Sequence, residues 1–316
     1  MGRVIEFEGP YANLLTEYVE FRQALGFAMP TSSQRTLRHI ASYLYARPLI
    51  PEIIDLERSE EISAVKGNEA DATRQGRYVV LRRFCIYLNN KGITAYVPPV
   101  GGVRGRSTFI PRIITEHEMA IIIKTADKEI RNWPSMVLKL LWCTGLRIGE
   151  ASALRLGDFN QDQQSLYITH AKHDRSRIIP IHESLAGELS RYIQHHVIAR
   201  HHSSWLFPGS KSGSHHNKVA MGNCLRTIYR DAEVLTDKGD PIRTHDIRHS
   251  FAIKALENMV ERGQDAYVTL PYLSAYMGHA NIFDTEYYLR FLPSAHQDVI
   301  DCEQEVSHVI FGGDRQ

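Results

Sequence analysis

The sequence predicts a mainly α-helical protein with a small β-hairpin, divided into two domains. Apolar residues recur at helical spacing through most of the first hundred residues. Two short strand-like stretches, SLYITH and RIIPI, stand close together in the second part of the chain. A stretch rich in proline and glycine separates the two parts. The length of 316 residues also favours two domains over one.

The first domain, residues 1–98, is predicted to be entirely helical. Three of its segments carry apolar side chains three or four residues apart: Leu14, Tyr18, Phe21 and Leu25; then Leu37, Ile40 and Leu44; then Val80, Phe84 and Leu88. The third helix is expected to end at the polar NNKG sequence of residues 89–92. Residues 99–112 are the predicted linker.

The second domain, residues 113–316, is predicted to be mixed. Thr115 and Glu118 have the spacing of a capping box, and Pro134 stands where the first turn of another helix is expected. The predicted hairpin pairs residues 165–170 with 177–181 through the polar sequence AKHDRS. Further helices are expected at residues 184–200, 217–233, 246–261 and 284–291, with a last amphipathic stretch at 299–310.

The charges are balanced overall but unevenly distributed. The net charge is +1 and the isoelectric point about 7.8, which is a weak argument for a nucleic-acid partner. Residues 52–71 are strongly acidic, whereas residues 72–83 contain four arginines and no acid. These arginines, Arg74, Arg77, Arg82 and Arg83, are candidates for contacts to DNA phosphates. A solvated helix face that pairs with the preceding acidic residues is the alternative, and both interpretations stay open.

Nothing in the composition indicates a membrane, an oxidising compartment or a metal. No apolar run is long enough to span a bilayer, and the N-terminus lacks the apolar core of a signal peptide. Four cysteines lie far apart without a CxxC motif, so we expect reduced core thiols in a cytoplasmic protein. The histidine doublets have no cysteine or carboxylate at ligand spacing, and neither a metal nor another cofactor is predicted.

Two polar patterns in the second domain are candidates for binding an anion. In CTGLRIGEASALRLGDF, residues 143–159, Arg147 falls in the first turn of a short helix, where free N–H groups and a guanidinium suit a phosphate. A salt bridge from Arg147 to Glu150 is the plain alternative. Lys172 lies at the turn of the hairpin, where a ligand is within reach, although a lysine on an exposed turn is usually only solvated.

Two further patterns lie near the end of the chain. In THDIRHSFA, His245 and Arg248 are three residues apart and share one helix face, which suits an anion between them. The alternative is a solvated arginine beside a helix-start histidine. In YMGHANIFDTEYYLRF, His279 is followed by Tyr287 and Tyr288, and aromatic packing is the alternative to chemistry there. Together, the four patterns suit a phosphoryl-transfer site in which cations surround a phosphate and a tyrosine attacks it.

The four patterns taken in order resemble the tyrosine recombinase (phage integrase) family. The resemblance rests on TGLRIGE, Lys172 in a hairpin, HDIRH, and MGH followed nine residues later by a tyrosine. It runs from about residue 143 to 290. The chain departs from the family pattern at Ala171 and His173, where glycines are common beside the lysine, and at Thr244, where a proline often precedes the histidine. Neither departure removes a functional group.

The resemblance implies roles for the cationic residues around the phosphate. Arg147 and Arg248 would clamp the scissile phosphate, and His245 would hydrogen-bond it and help to take the tyrosine proton. His279 would hold a phosphate oxygen or the nucleophile. Glu150 matches the acidic position that orients the basic residues.

The resemblance also implies the two groups that make and break bonds. Tyr288 would be the nucleophile, because the family's tyrosine falls nine residues after the Gly-His histidine, and Tyr287 would pack elsewhere. Lys172 would be the general acid that protonates the leaving 5′ oxygen. The bond energy would be kept in a 3′-phosphotyrosyl link, so no cofactor is needed.

For the whole molecule, the resemblance implies a helical core-binding domain followed by a mixed α+β catalytic domain, forming a clamp around DNA. Four protomers would assemble on two double-stranded recombination sites and exchange strands through a Holliday junction. The segment 299–310 would dock on a neighbouring protomer, or fold back on its own core. The expected function is site-specific recombination by an integrase or transposase, with a mobile element favoured. A type IB topoisomerase and a non-catalytic DNA-binding protein of the same fold are the alternatives.

Overall fold

The computed structural model describes residues 4–45, 54–103, 110–169, 176–197, 201–209, 213–279 and 281–292. The chain divides into two compact units, Met1–Phe109 and Ile110–Gln316, and the division falls inside the predicted linker. Most of the described residues are helical, and the strands form one three-stranded sheet. The predicted fold class, mainly α with a small β-sheet, is therefore confirmed. The functional assignment of each domain stays a prediction.

The described part of the first unit is built from helices. They are α1 (Ala12–Ala24), α2 (Thr31–Tyr45), α3 (Leu56–Ser63) and α4 (Asp71–Asn90). Their buried apolar faces meet in one core, and the predicted stripes of α2 and α4 contribute Leu37, Ile40 and Phe84 to it. Each such side chain that leaves water stabilises the fold by roughly 1.5–3 kcal/mol.

The apolar stripe predicted for α1 is wrong by about one residue. The helix buries Leu15, Tyr18 and Val19, whereas Phe21 and Leu25 remain 44% and 56% exposed. Both sets fit a helical period, so spacing alone left the choice of face open. Packing against α2 and α4 decided it.

The second unit contains the sheet and the remaining helices. The helices are α5 (Glu116–Ala126), α6 (Trp133–Thr144), α7 (Ile148–Ser152), α8 (Glu183–His196), α9 (Lys218–Asp231), α10 (Thr244–Glu261), α11 (Ala266–Met277) and α12 (Phe283–Glu286). Short 3₁₀ turns cover Leu156–Asp158 and Tyr287–Phe291. Across the stretches that the structure describes, no helix combines the length and the apolarity that crossing a bilayer requires.

Several local signals in the sequence place these helices correctly. Thr115 and Glu118 form the predicted reciprocal capping box at the start of α5. Pro134 lies in the first turn of α6, where its missing N–H costs nothing. Gly145 ends α6 in the left-handed conformation, with φ of 61°. This reversal sends the chain directly into α7, which begins after Arg147.

The sheet contains the predicted hairpin and one strand that the sequence did not indicate. Strands β1 (Phe159–Asn160), β2 (Ser165–Ile168) and β3 (Arg177–Pro180) pair in the order β1-β2-β3, and both pairings are antiparallel. At the end of the hairpin nearest the connecting segment, Ile168 lies opposite Arg177. Strand β1 is only two residues long, which is too short to show a period of two.

Helix α11 was not predicted from the sequence, and Pro271 lies inside it. A proline within a helix removes one backbone hydrogen bond and costs about 3 kcal/mol. Packing offsets this cost: Leu270, Leu273 and Met277 are buried in a core cluster that α11 shares with α10. The helix predicted at 284–291 consists of α12 followed by the 3₁₀ turn.

The cysteines do not all lie in the core. Cys85 is buried, but Cys224 is half-buried and Cys143 is exposed, and all three are free thiols. The expectation of core thiols is therefore wrong for Cys143, although its neighbours on α6 are buried. The apolar sequence around Cys143 reflects those neighbours, since one face of α6 still reaches the surface.

Candidate active site

Helix ends of the second unit position the polar residues that the sequence singled out. Arg147 lies just before α7, and Arg248 lies in the second turn of α10. His279 follows the left-handed Gly278 that ends α11, and Tyr288 lies in the 3₁₀ turn after α12. Residues far apart in sequence therefore belong to one region of the fold.

Arg147 is held by the carboxylate of Glu150 and by the end of α11. Its backbone N–H donates to Glu150 Oε2 at 2.9 Å, and its Nη1 donates to Glu150 Oε1 at 3.1 Å. Both Nη atoms also lie 3.3 Å from the carbonyl oxygen of Gly278. The salt bridge considered from the sequence is present. It leaves the Arg147 side chain 27% exposed, where it lines an open cavity of about 1100 Å³ together with His245.

Arg248 is a buried arginine whose guanidinium points at two helix ends. Its side chain is 1% exposed. Nη1 donates to Gly145 O at 2.5 Å and Nη2 donates to Met277 O at 2.6 Å. Its Nε is buried and has no hydrogen-bond partner among the described residues. Burial and the nearby Arg147 lower the pKa of Arg248 to about 10, which still leaves it charged at neutral pH.

The two predicted histidines flank Arg248. Partial desolvation and the charge of Arg248 lower the pKa of His245. Burial and the same charge lower the pKa of His279 to about 3. His279 Nδ1 lies 2.7 Å from the hydroxyl of the buried Thr285, which fixes the orientation of the ring. In the free protein both imidazoles are therefore neutral at pH 7, and an anion beside them would favour the protonated form.

Tyr288 is the buried member of the tyrosine pair. Its side chain is 2% exposed, and its ring centroid lies 6.3 Å from that of His279. Burial raises the pKa of Tyr288, while the charges of Arg248 and Arg147 act to lower it. Tyr287 is half-buried, contacts Phe291 and lies under the guanidinium of Arg290. The two tyrosines therefore have different surroundings.

The structure adds His249, which the sequence analysis did not select. His249 Nδ1 lies 3.1 Å from the phenolic oxygen of Tyr288, and its ring centroid is 4.6 Å from that of His245. Burial and His245 lower the pKa of His249 to about 4. The signal was present in HDIRH: His249 follows His245 by four residues, the spacing that stacks side chains on one helix face.

Lys172 lies outside the described residues, as do residues 170–175 around it. The strands on either side of this segment are described, and they pair from Ser165 opposite Pro180 to Ile168 opposite Arg177. The role of Lys172 stays a prediction.

The four arginines of α4 do not form one exposed set. Arg77 is buried: its Nε and Nη2 donate to the carbonyls of Ile62 and Ala64 at 2.7 Å, and it pairs with Glu69. Arg77 thus satisfies the last carbonyls of α3, which have no partner within that helix. For Arg77 the predicted phosphate contact is corrected to a structural role.

The other three arginines of α4 differ in exposure. Arg74 Nε donates to Ser63 O at 2.7 Å, and Arg82 donates to the carbonyl of Pro98. Both are half-buried, whereas Arg83 is exposed. The four arginines cannot all lie on one side of α4, because the adjacent residues Arg82 and Arg83 point in directions about 100° apart around the helix axis.

The site combines groups that bind a phosphate diester with a group that can attack it. Two arginines and three histidines are groups that can donate hydrogen bonds to phosphate oxygens, and the phenol of Tyr288 lies where both arginine charges act on it. These residues lie at or near the ends of helices in the second unit, which also contains the small sheet. Fold and site together define an enzyme that breaks and rejoins a phosphodiester through a tyrosine.

Comparison with known proteins identifies the family. The family model described as "Phage integrase family" matches residues 112–294, more than half of the chain. "Putative integrase/recombinase y4rB" of Sinorhizobium fredii is 31% identical over 303 residues, covering 90% of this chain and 93% of that protein. Tyrosine recombinase XerA of Pyrococcus horikoshii is 28% identical over 204 residues, 65% of each chain. The chain belongs to the phage integrase family of tyrosine recombinases.

Solved structures share the same fold. The XerH site-specific recombinase bound to palindromic difH substrate covers 92% of this chain and 84% of its own, with a TM-score of 0.68 and 18% identity. The Tn1549 transposon integrase in complex with transposon right end DNA covers 87% of this chain and 93% of its own, with a TM-score of 0.67 and 16% identity. The predicted family is confirmed, and the chain is a DNA-cutting and DNA-rejoining enzyme.

Proposed function

We propose that this protein is a site-specific DNA recombinase of the integrase or transposase kind, with Tyr288 as its nucleophile. The observation that carries the proposal is the convergence of Arg147, Arg248 and the Tyr288 phenol within one unit. Arg248 contributes a buried Nε without a partner among the described residues, as expected of a group that awaits an anion.

The arginines act on the charge that builds up on the phosphate. As Tyr288 Oη attacks phosphorus, negative charge on the non-bridging oxygens increases. Arg147 lines the cavity, and Arg248 is buried with its Nη groups already fixed on carbonyls. Because protein bonds hold both guanidinium groups before DNA arrives, little reorganisation is needed during the reaction. His245 and His279 donate to the same oxygens.

The proposed reaction assigns an acceptor to the phenolic proton, a donor to the leaving oxygen, and one broken bond to the bond that forms. The phenolic proton of Tyr288 passes to Nδ1 of His249, or to His245 beyond it. The new bond joins Tyr288 Oη to the 3′ phosphate, and the bond from phosphorus to the 5′ oxygen breaks. Lys172 gives its proton to that oxygen, which leaves as a 5′ hydroxyl. Attack by the 5′ hydroxyl of a partner duplex reverses every step, so no external energy source is required.

Recombination needs four protomers on two DNA sites, and α11 offers a docking surface for that assembly. Tyr267, Val268 and Tyr272 are 64–72% exposed on its outer face. Beside them lies a groove of about 530 Å³ that is also lined by Met259. The amphipathic segment 299–310, which lies outside the described residues, is its proposed occupant, supplied by a neighbouring protomer.

The domain roles complete the proposal. Residues 1–98 form the core-binding domain, residues 99–112 the linker, and residues 113–316 the catalytic domain. The exposed Arg83 is the main candidate for a phosphate contact in the first domain, with Arg74 and Arg82 beside it. The reaction takes place on DNA in the cytoplasm.

The test is covalent trapping on a nicked suicide substrate that lets the cleaved 5′ end diffuse away. The wild-type protein should accumulate a covalent DNA complex. Tyr288→Phe should abolish this complex and retain DNA binding, because only the phenolic oxygen is removed. The matched control is Tyr287→Phe, which should still form it. A covalent complex that survives in Tyr288→Phe and disappears in Tyr287→Phe would show that the nucleophile is misassigned.

The same substrates separate the proposed function from its alternatives. Two recombination sites incubated with the protein should yield Holliday junctions. Relaxation of supercoiled plasmid without junctions would indicate a topoisomerase. Binding without any covalent complex in the wild-type protein would indicate a non-catalytic DNA-binding protein.

A further inference from the structure

A second arginine, Arg177, shares the carboxylate that holds Arg147. Arg177 is the first residue of β3. Its Nη1 donates to Glu150 Oε1 at 3.1 Å and its Nη2 to Glu150 Oε2 at 3.0 Å, a bidentate fork. The two side chains are 10% and 4% exposed. This is the more extensive of the two ion pairs that Glu150 makes with side chains, since Arg147 adds one Nη contact.

Arg177 is also fixed to the end of α11. Its Nε donates to Tyr276 O at 2.8 Å. Its guanidinium lies against Gly278, where an added Cβ would come within 2.7 Å of Nη1. Gly278 immediately precedes His279, and its carbonyl oxygen lies 3.3 Å from Arg147. The guanidinium of Arg177 therefore links β3 to a carboxylate and to the turn that carries His279.

Positive charges outnumber negative charges in this cluster. Three arginines, Arg147, Arg177 and Arg248, lie around one described carboxylate, Glu150. Although burial alone would raise the pKa of Glu150, hydrogen bonds from Arg177 and Arg147 hold that pKa below its usual value. Because Arg177 takes both oxygens of this carboxylate, Glu150 is neutralised locally. The single Nη contact of Arg147 then offsets only part of its charge, and most of the charge of Arg147 and Arg248 stays available to DNA.

Loss of the Arg177 charge would change what Glu150 does to Arg147. A buried carboxylate without its first partner is costly, and a cation within reach is drawn to it. Arg147 already makes one Nη contact to Glu150, so its guanidinium would need only a small movement to form a full fork. That movement would take Arg147 away from the phosphate and cancel its charge.

We propose that Arg177 is a positioning residue that occupies and neutralises Glu150, and thereby keeps Arg147 free to bind the scissile phosphate. The proposal rests on the proposed role of Arg147. It assigns Arg177 no contact with DNA. It predicts that removing the carboxylate charge should correct a defect caused by removing the Arg177 charge.

The experiment measures single-turnover formation of the covalent complex by purified full-length variants. Arg177→Met should slow cleavage on the order of 10²-fold, the scale expected when a clamping group is misplaced by about 1 Å. Arg177→Lys retains a charge without the fork and should be slowed less. The double variant Arg177→Met/Glu150→Gln should recover at least about tenfold over Arg177→Met, because glutamine accepts the Arg147 N–H but does not attract its guanidinium.

A charge-free substrate provides a second measurement. A methylphosphonate at the scissile position lacks one non-bridging oxygen charge, so a clamp of two cations matters less there. The defects of Arg177→Met and Arg147→Ala should both shrink on this substrate. Arg191→Met, which removes a 68% exposed arginine from α8, is the control and should cleave both substrates at wild-type rates.

The outcomes are decisive in each direction. A double variant as slow as Arg177→Met, or a defect of equal size on both substrates, would overturn the proposal and leave Arg177 with a purely structural role. If Arg177→Met fails to fold by thermal melting, Arg177→Gln carries the same comparison. If the wild-type protein forms no covalent complex, or if Arg147→Ala cleaves normally, the proposed function itself fails instead.

Discussion

His249 was recognised as part of the candidate site only from the structure, through its contact with Tyr288. The sequence motif marked His245 as the partner of the tyrosine, yet the phenolic oxygen lies 3.1 Å from Nδ1 of His249. His245 contacts the ring of His249 and lines the cavity beside Arg147. The two histidines therefore have different surroundings on one face of α10: His245 lines the cavity, and His249 contacts the phenol of Tyr288.

The neutral histidines predict that the folded protein becomes less stable as the pH is lowered. The pKa values of His249 and His279 are about 4 and about 3 in the folded protein, against about 6.5 in an unfolded chain. Between pH 7 and pH 5 the unfolded state therefore binds more protons, so the free energy of unfolding should fall as the pH is lowered. Urea midpoints at pH 7.5, 6 and 5 measure this.

A variant control separates these histidines from the rest of the titration. His279→Gln should reduce the loss of stability between pH 7 and pH 5, because the variant has one fewer group to protonate on unfolding. Carboxylates contribute mainly below pH 5. An unchanged pH dependence in this variant would contradict the lowered pKa of His279.

The second residue-scale prediction concerns Lys172 as the general acid. Lys172→Ala should slow cleavage of normal DNA by on the order of 10²–10⁴-fold, the usual range for loss of acid catalysis. A substrate with a 5′-thiol leaving group needs no protonation, because a thiolate is a stable leaving group. The variant should cleave that substrate at nearly the wild-type rate. An equal defect on both substrates would remove Lys172 from this role.

At the scale of elements, features confined to a helix end were predictable from the sequence, whereas features that depend on contacts between elements were not. The capping box at Thr115 is a local signal, complete within four residues, and it was visible in the sequence. The positions of Arg77 and Arg177 depend on partners that are distant in the chain, so no local pattern reported them. Helix α11 was missed for the same reason, since tertiary packing outweighs the local cost of Pro271.

The two kinds of arginine on α4 give a test at this scale. Arg77→Ala should lower the melting temperature, because the carbonyl of the buried Ile62 loses its donor at a cost of about 1–3 kcal/mol, and the carbonyl of the exposed Ala64 loses its donor as well. Arg83→Ala should leave the melting temperature unchanged and weaken DNA binding at low salt. Its binding should also depend less on salt, by about one unit of the log–log slope.

The opposite pattern would revise the assignment of α4. If Arg83→Ala binds DNA as the wild type does at every salt concentration, α4 does not contact the backbone through that residue. If Arg77→Ala melts at the wild-type temperature, its hydrogen bonds to α3 do not support the first unit.

At the scale of the whole molecule, the balanced charge of the chain fits an enzyme whose positive charge is concentrated. The net charge of +1 argued only weakly for DNA, yet Arg147, Arg177 and Arg248 lie close enough together for their charges to act on one another. The family and the fold were predictable because their motifs keep order and spacing along the chain. The four-protomer assembly stays a prediction, because it depends on surfaces that form only between protomers.

The assembly leads to the last prediction, which concerns the segment beyond residue 297. A chain that ends at residue 297 keeps every described element, including Tyr288 and the exposed face of α11, so it should bind a single site and form the covalent complex as the full chain does. Recombination between two sites should fall far more, at least about tenfold for each 1.4 kcal/mol of lost contact between protomers. The matched variant is Tyr272→Ser in the full chain, which alters the receiving surface and should show the same selective loss. If the truncated protein loses single-site binding or cleavage to the same degree as recombination, the segment stabilises its own protomer and does not join neighbours.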